Sequence, residues 1–169
     1  HRLLELLPDR PQEERETAAG RLLRAMAGEL EEETCEAIAG EALALLSDPA
    51  LRDLFGPSSR AEVAIAGEIE SPDGGKIAIS GQIDRLTVTE SQVAIADYKS
   101  NRAVPEQAGD IPPAYVGQLA AYRLLMKKIF PGKKIRALIV WTAAPSAMEV
   151  PDTMLDAAEA SGLAGGSSG

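Results

Sequence analysis

One stretch constrains this chain more than any other. It reads Gly81-Gln82-Ile83-Asp84-Arg85, then a short polar turn, then Val93-Ala94-Ile95-Ala96-Asp97-Tyr98-Lys99-Ser100-Asn101-Arg102. The pattern predicts two strands of a hairpin, each ending in an acidic residue. Successive strand side chains point to opposite faces, so Asp97 and Lys99 share a face, about 6–7 Å apart along the chain. Val93 and Ile95 have the same parity, so a face that begins apolar ends charged. A core strand carries a site at its edge in this way. Two carboxylates with a nearby lysine are what metal-assisted phosphodiester hydrolysis requires. Carboxylates suit Mg²⁺, a hard cation that prefers oxygen ligands and keeps several waters. Such a metal activates water and offsets charge developing on phosphate, and a lysine can orient that water or stabilise the same charge. The plainer alternative is that these are solvated strand-end residues, with Asp84 and Arg85 forming half of a weak surface pair.

The full run decides between the two. G-x-I-D-R, a short hairpin, D-Y-K-S-N-R and then Gln118-Leu119-Ala120-Ala121-Tyr122 occur in order. Together they resemble the RecB-like branch of the PD-(D/E)XK nuclease superfamily, most closely the C-terminal nuclease domains of AddA-type helicase–nuclease subunits. The resemblance covers roughly residues 1–155. It implies that Asp84, Asp97 and Lys99 are catalytic and that Asp84 and Asp97 bind Mg²⁺, for which Mn²⁺ can substitute. The backbone carbonyl of Tyr98 would complete the protein ligands. An H-x-L-L-E-x-L-P segment precedes the core in that family and supplies a histidine ligand, which maps to His1; a tag remnant or frayed end is the alternative. Gln118 and Tyr122, four apart and on one helical face, would position substrate. Arg102, with Ser100 and Asn101, would contact the phosphate backbone. Some superfamily members use an early glutamate at the metal, which maps to Glu62; an exposed strand-end glutamate is the commoner reading.

The same resemblance implies a DNA exonuclease acting on single strands from unwound duplex ends, in the cytoplasm. Its partners would be an AddB-like subunit and parent helicase domains, and it would cut the strand ending 3′ at the break. No P-loop is present, so ATP hydrolysis would belong to the parent. The single Cys35 excludes an internal disulfide and the four-cysteine iron–sulfur cluster of some RecB-like nucleases. No run approaches the roughly 20 apolar residues of a membrane span, and the start at His1 suggests a piece of a longer protein. A contrasting class is a nuclease-fold module that no longer cleaves and serves assembly or DNA guiding. The net charge of −9 fits it, because phosphate contacts dominate nucleic-acid affinity. The intact Asp84, Asp97 and Lys99 argue against it. A non-nuclease metal hydrolase would need more His or Cys ligands than this chain supplies. Charge is also uneven: Lys99, Arg102, Arg123, Lys127, Lys128, Lys133, Lys134 and Arg136 suggest a basic side near the site.

Periodicity predicts helices ending at Leu7, over Pro11–Ala27 and over Glu29–Leu46, then a short one capped by Asp48-Pro49. Strands are predicted over 61–66, 76–88, 92–99 and 135–142, with a short edge strand at 148–150. A helix is predicted from about 114 to 130, with Leu119, Leu125, Met126 and Ile129 in the core, and a last helical turn or two at 153–160. At 169 residues the chain is long enough for one domain with a real core. The expected fold is α/β, a restriction-endonuclease-like core with a mixed sheet of four or five strands flanked by helices. Residues 1–60 form a helical lead, 61–155 the nuclease core and 156–169 a flexible tail.

Overall fold

The computed structural model describes residues 1–26, 28 and 30–163. Three helices lead: α1 (Arg2–Leu6), α2 (Arg15–Met26) and α3 (Glu32–Ser47). Pro8 follows α1, and a 3-10 turn over Gln12–Glu14 precedes α2. Asp48 Oδ1 accepts from Ala50 N at 2.9 Å and caps a second 3-10 turn over Pro49–Leu51. Five strands follow: β1 (Ser59–Glu70), β2 (Lys76–Val88), β3 (Gln92–Lys99), β4 (Lys134–Trp141) and β5 (Ser146–Glu149). Helix α4 (Pro113–Ile129) connects β3 to β4, and α5 (Asp152–Ala160) follows β5.

The strands lie in the order β1-β2-β3-β4-β5, with β3 and β4 parallel and the other pairs antiparallel. A parallel pair needs a long crossover, and α4 supplies it. This is the mixed sheet with flanking helices and helical lead expected of a restriction-endonuclease-like fold.

Strand alternation builds two cores. Val93 and Ile95 of β3 join Ile139 and Trp141 of β4 beneath Leu119, Leu125 and Met126 of α4. Ala94, Ala96 and Tyr98 join Leu138 and Val140 under Leu3, Leu4, Leu7, Leu23 and Leu45 of the lead. The V-A-I-A rhythm of β3 thus turns large side chains to α4 and small ones to the lead. Cys35 is half-buried and joins the edge of the second core.

The structure corrects several expectations. Strand β1 begins at Ser59 and runs to Glu70, because it pairs with β2 along nearly its whole length. Ile129 is 51% exposed, since it is the last residue of α4. The expected flexible tail from 156 falls partly within α5, and Leu163 is buried, so residues 156–163 are folded. Residues 164–169, with Ala27 and Glu29, lie outside the described residues. Among the described residues no helix is long and apolar enough to cross a membrane.

Candidate active site

The site forms where the β2–β3 ladder ends. The pairing runs Val88↔Val93, Thr87↔Ala94, Leu86↔Ile95 and Arg85↔Ala96, which sets Asp84 opposite Asp97. Beyond that point the strands part. Asp84 Oδ2 accepts from Tyr98 N at 2.6 Å, where a ladder carbonyl would otherwise stand. In a strand, a residue's N–H and C=O project to the same side. The Tyr98 carbonyl therefore opens toward Asp84 in the same gap, whereas the Lys99 carbonyl is held on the β4 side by Thr142 N at 2.8 Å. The register thus sets the two aspartates side by side, with the Tyr98 backbone at the same gap.

A change of face at this point exposes Asp84 to the gap. Gly67 and Gly81 both abut α4, with space for a Cβ taken by Leu125 and Tyr122 respectively. Arg85 and Thr87 have the same parity but bond the other way, Arg85 Nε to the Leu54 carbonyl at 3.2 Å and Thr87 Oγ1 to the Asp53 and Leu54 carbonyls at 3.5 Å. An unbroken β2 would place Gly81, Arg85 and Thr87 on one face. The switch lies between Ile83 and Arg85, opposite Glu62, whose φ is 54°. A left-handed conformation costs a non-glycine residue roughly 1–2 kcal/mol. Backbone strain of this kind collects at functional sites. Glu62 Oε2 accepts from Gln82 Nε2 at 2.6 Å and adds negative charge beside Asp84.

Electrostatics at the site are unbalanced toward acid. Burial raises the Asp97 carboxyl above the ordinary aspartate range; Lys99 opposes that shift and Asp84 adds to it. Burial likewise raises Asp84, opposed by the Tyr98 N–H and reinforced by Glu62. Lys99 Nζ lies 2.7 Å from Asp97 Oδ2, with side chains 19% and 10% exposed. That oxygen is otherwise buried and receives no well-aligned hydrogen bond from the described residues. Lys99 Nζ also sits 4.2 Å from the centre of the Tyr115 ring on α4.

Asp84, Asp97 and the Tyr98 carbonyl offer an all-oxygen donor set, in which Asp97 Oδ2 is paired with Lys99 but lacks a well-aligned hydrogen bond. That chemistry fits a hard divalent cation. Among the described residues no three His, Cys, Asp or Glu side chains converge to hold a metal by themselves. His1 is accordingly not gathered with the two aspartates. Its ring packs edge-on against Tyr98 at 5.5 Å between centroids.

With this geometry in place, residues 1–159 match the family described as the PD-(D/E)XK nuclease superfamily. The chain belongs to that superfamily. Its members are generally metal-dependent phosphodiester hydrolases that typically use divalent ions such as Mg²⁺. A solved structure titled "Crystal structure of SSO0001" is similar at 18% identity and a TM-score of 0.40, covering 83% of this chain and 69% of that one. No curated protein matches the chain.

The remaining residues of this nuclease-superfamily domain divide between site and scaffold. Gln118 Nε2 donates to Tyr122 Oη at 3.3 Å, and Tyr122 fills the space above Gly81, three residues before Asp84. Arg102 is engaged elsewhere: it donates to the Ala143 carbonyl at 2.8 Å and pairs with Glu41 of α3 at 3.1 Å. The expected basic side near the site is not formed. Lys134 pairs with Gln92, the first residue of β3, about 16 Å along the strand from Asp97. Lys133 donates to the Thr89 carbonyl, Lys128 to the Glu68 carbonyl, and Arg136 binds Glu149. Arg123 is buried against α5. Lys133 and Lys134 thus sit at the Gln92 end of the sheet, while Lys128, Arg136 and Arg123 are each engaged by scaffold groups.

Sequence reasoning missed Arg85. It is 3% exposed, its guanidinium lies 5.4 Å from the Phe55 ring centre, and burial lowers its pKa. It fastens β2 to the lead one residue from Asp84. Its adjacency to Asp84 in the G-x-I-D-R run was the available signal.

Proposed function

We propose that this chain is a Mg²⁺-dependent DNA exonuclease domain acting on single strands from unwound duplex ends. The observation that carries the reading is the parted ladder, where Asp84, Asp97 and the Tyr98 carbonyl share one gap and Lys99 touches Asp97. A bound Mg²⁺ would supply an activated water and a Lewis acid for the phosphate oxygen. Asp84 and Asp97 would hold that ion as ionised carboxylates. The Lys99 ammonium, held between Asp97 and the Tyr115 ring, orients the attacking water or offsets charge on the phosphate. Gln118 and Tyr122 keep α4 against β2 and set the wall along which substrate lies. The D-Y-K-S-N-R and Q-x-x-x-Y runs support placement in an AddA-type helicase–nuclease, cytoplasmic, with an AddB-like partner and motor domains elsewhere in the parent. The engagement of Lys128, Lys133, Arg123 and Arg136 by scaffold groups fits a module that receives DNA from an attached motor.

The test is Mg²⁺ and Mn²⁺ calorimetry on wild type, Asp97→Ala and Lys99→Ala, with single-stranded DNA cleavage on the same samples. Metal binding lost in Asp97→Ala but kept in Lys99→Ala, with cleavage lost in both, supports the reading. The alternative, an inactive assembly or DNA-guiding module, draws on the absence of free cations beside the gap among the side chains just described. It predicts no cleavage even when an AddB-like partner and the parent helicase are present.

A further inference from the structure

Beside the ion pair lies a cleft of about 300 Å³ that the hydrolytic reading does not use. It is bounded by the loop after β3 and the start of α4, with Asn101, Val104, Pro105, Asp110, Tyr115 and Trp141 in its walls. Its size is at the small end of ligand pockets and suits one planar ring system. Tyr115 joins the cleft to the site, since the same ring contacts Lys99 Nζ at 4.2 Å. Trp141 closes the cleft from behind. It is fully buried, and its indole N–H has no acceptor among the described residues.

We propose that this cleft takes an unpaired nucleobase from the nucleotide beside the scissile phosphate, stacked against Tyr115. The proposal rests on the nuclease reading and deepens it. Apolar walls from Val104, Pro105 and the aromatic rings suit the face of a base and not a phosphate. Base–aromatic stacking accepts any base because each has a π-face. The polar groups at the rim add a preference. Asp110 is exposed, and an ionised carboxylate only accepts hydrogen bonds. It would repel phosphate and favour a base carrying an exocyclic amine, such as cytosine, over thymine. A base in a duplex must leave its stack to enter, which costs a few kcal/mol. The cleft therefore selects single-stranded or frayed DNA at the point of cleavage.

Trp141 is the sole tryptophan and reports on the cleft directly. Its fluorescence would be titrated in EDTA with dCMP, dTMP and deoxyribose 5-phosphate, for wild type, Tyr115→Leu and Asp110→Asn. The expected result is saturable binding of dCMP ahead of dTMP and none of the baseless sugar phosphate. Tyr115→Leu should weaken dCMP about tenfold, and Asp110→Asn should erase the preference over dTMP. Equal binding of deoxyribose 5-phosphate, or an unchanged dCMP titration in Tyr115→Leu, overturns the proposal. A scan on wild type alone, moving one abasic residue along a single-stranded oligonucleotide, needs no variant. One position should slow cleavage about tenfold, and a flat scan overturns the cleft. The two readings fail separately. The expected titration without any cleavage keeps the cleft and removes the nuclease, whereas cleavage with a flat scan keeps the nuclease and removes the cleft.

Discussion

Two clusters bury charge in this domain, and they resolve the cost in opposite ways. Where α4 meets α5, Arg123 is 3% exposed and faces three acids, Asp152, Asp156 and Glu159. Burial alone would lower its pKa, but Asp156 and Glu159 more than offset that, and it is raised. Asp152 and Asp156 remain more than half exposed, so the excess negative charge stays solvated. At the end of β3 burial prevails instead. Lys99 does not fully compensate Asp97, and Asp84 adds a second negative charge beside it. The first cluster is complete as it stands and latches α5 to α4. The second lacks positive charge and has a carboxylate oxygen without a well-aligned donor. That difference fits one to a scaffold role and the other to the cation site proposed above.

The largest test of the contrast is Asp97→Ala. Losing a metal ligand should abolish Mn²⁺ binding and reduce single-strand cleavage by roughly a thousandfold, the worth of several kcal/mol in a barrier. The variant should stay folded by circular dichroism, and retained metal affinity would remove Asp97 from the ligand set. Arg123→Ala should behave in the reverse manner. Removing a buried cation from its partners should cost about 3 kcal/mol, the low end for a broken buried pair because two acids are already solvated. Urea unfolding reads that loss, while calorimetry should show metal affinity unchanged.

Gly81→Ala sharpens the boundary between the two clusters, because Tyr122 stands next to Arg123 on α4. The new Cβ would lie 3.0 Å from Tyr122 Cζ and nearer still to its hydroxyl, so the ring must move. Overpacking of this kind costs about 2 kcal/mol. It should lower cleavage as well as the urea midpoint, whereas Arg123→Ala lowers the midpoint alone. The smallest effect is in pH. The folded pKa of Asp97 is raised above 3.8, so its contribution to stability is full below 3.8 and is lost as pH rises through the raised value. Thermal unfolding of metal-free protein should show a fall across that window. Asp97→Asn should flatten the fall, and saturating Mg²⁺ should reverse it by mass action.

Much of this was legible in the chain. Bounds for β2 and β3 follow from alternation and turn residues and agree with the structure at both ends. The Gln118–Tyr122 pairing follows from helical spacing. Arg102 was harder to read. Its place in the D-Y-K-S-N-R run suggested a phosphate contact, but its partners Glu41 and Ala143 are 61 and 41 residues away. No local pattern encodes such a contact. The basic residues misled for a related reason, since nearness in sequence to Asp97 says nothing about which scaffold groups engage them after packing.

The sequence by itself determined the alternation of the strands, the acids at their ends and the lack of cysteine for a cluster. Those are properties of one element or of composition, and periodicity reports them directly. Tertiary structure alone decided the face change between Ile83 and Arg85, the burial of Arg85, the opening of the Tyr98 carbonyl into the gap and the cleft beside Tyr115. Each depends on two or more elements meeting across long chain separations. Packing then sets the register and burial that turn two aspartates into one site.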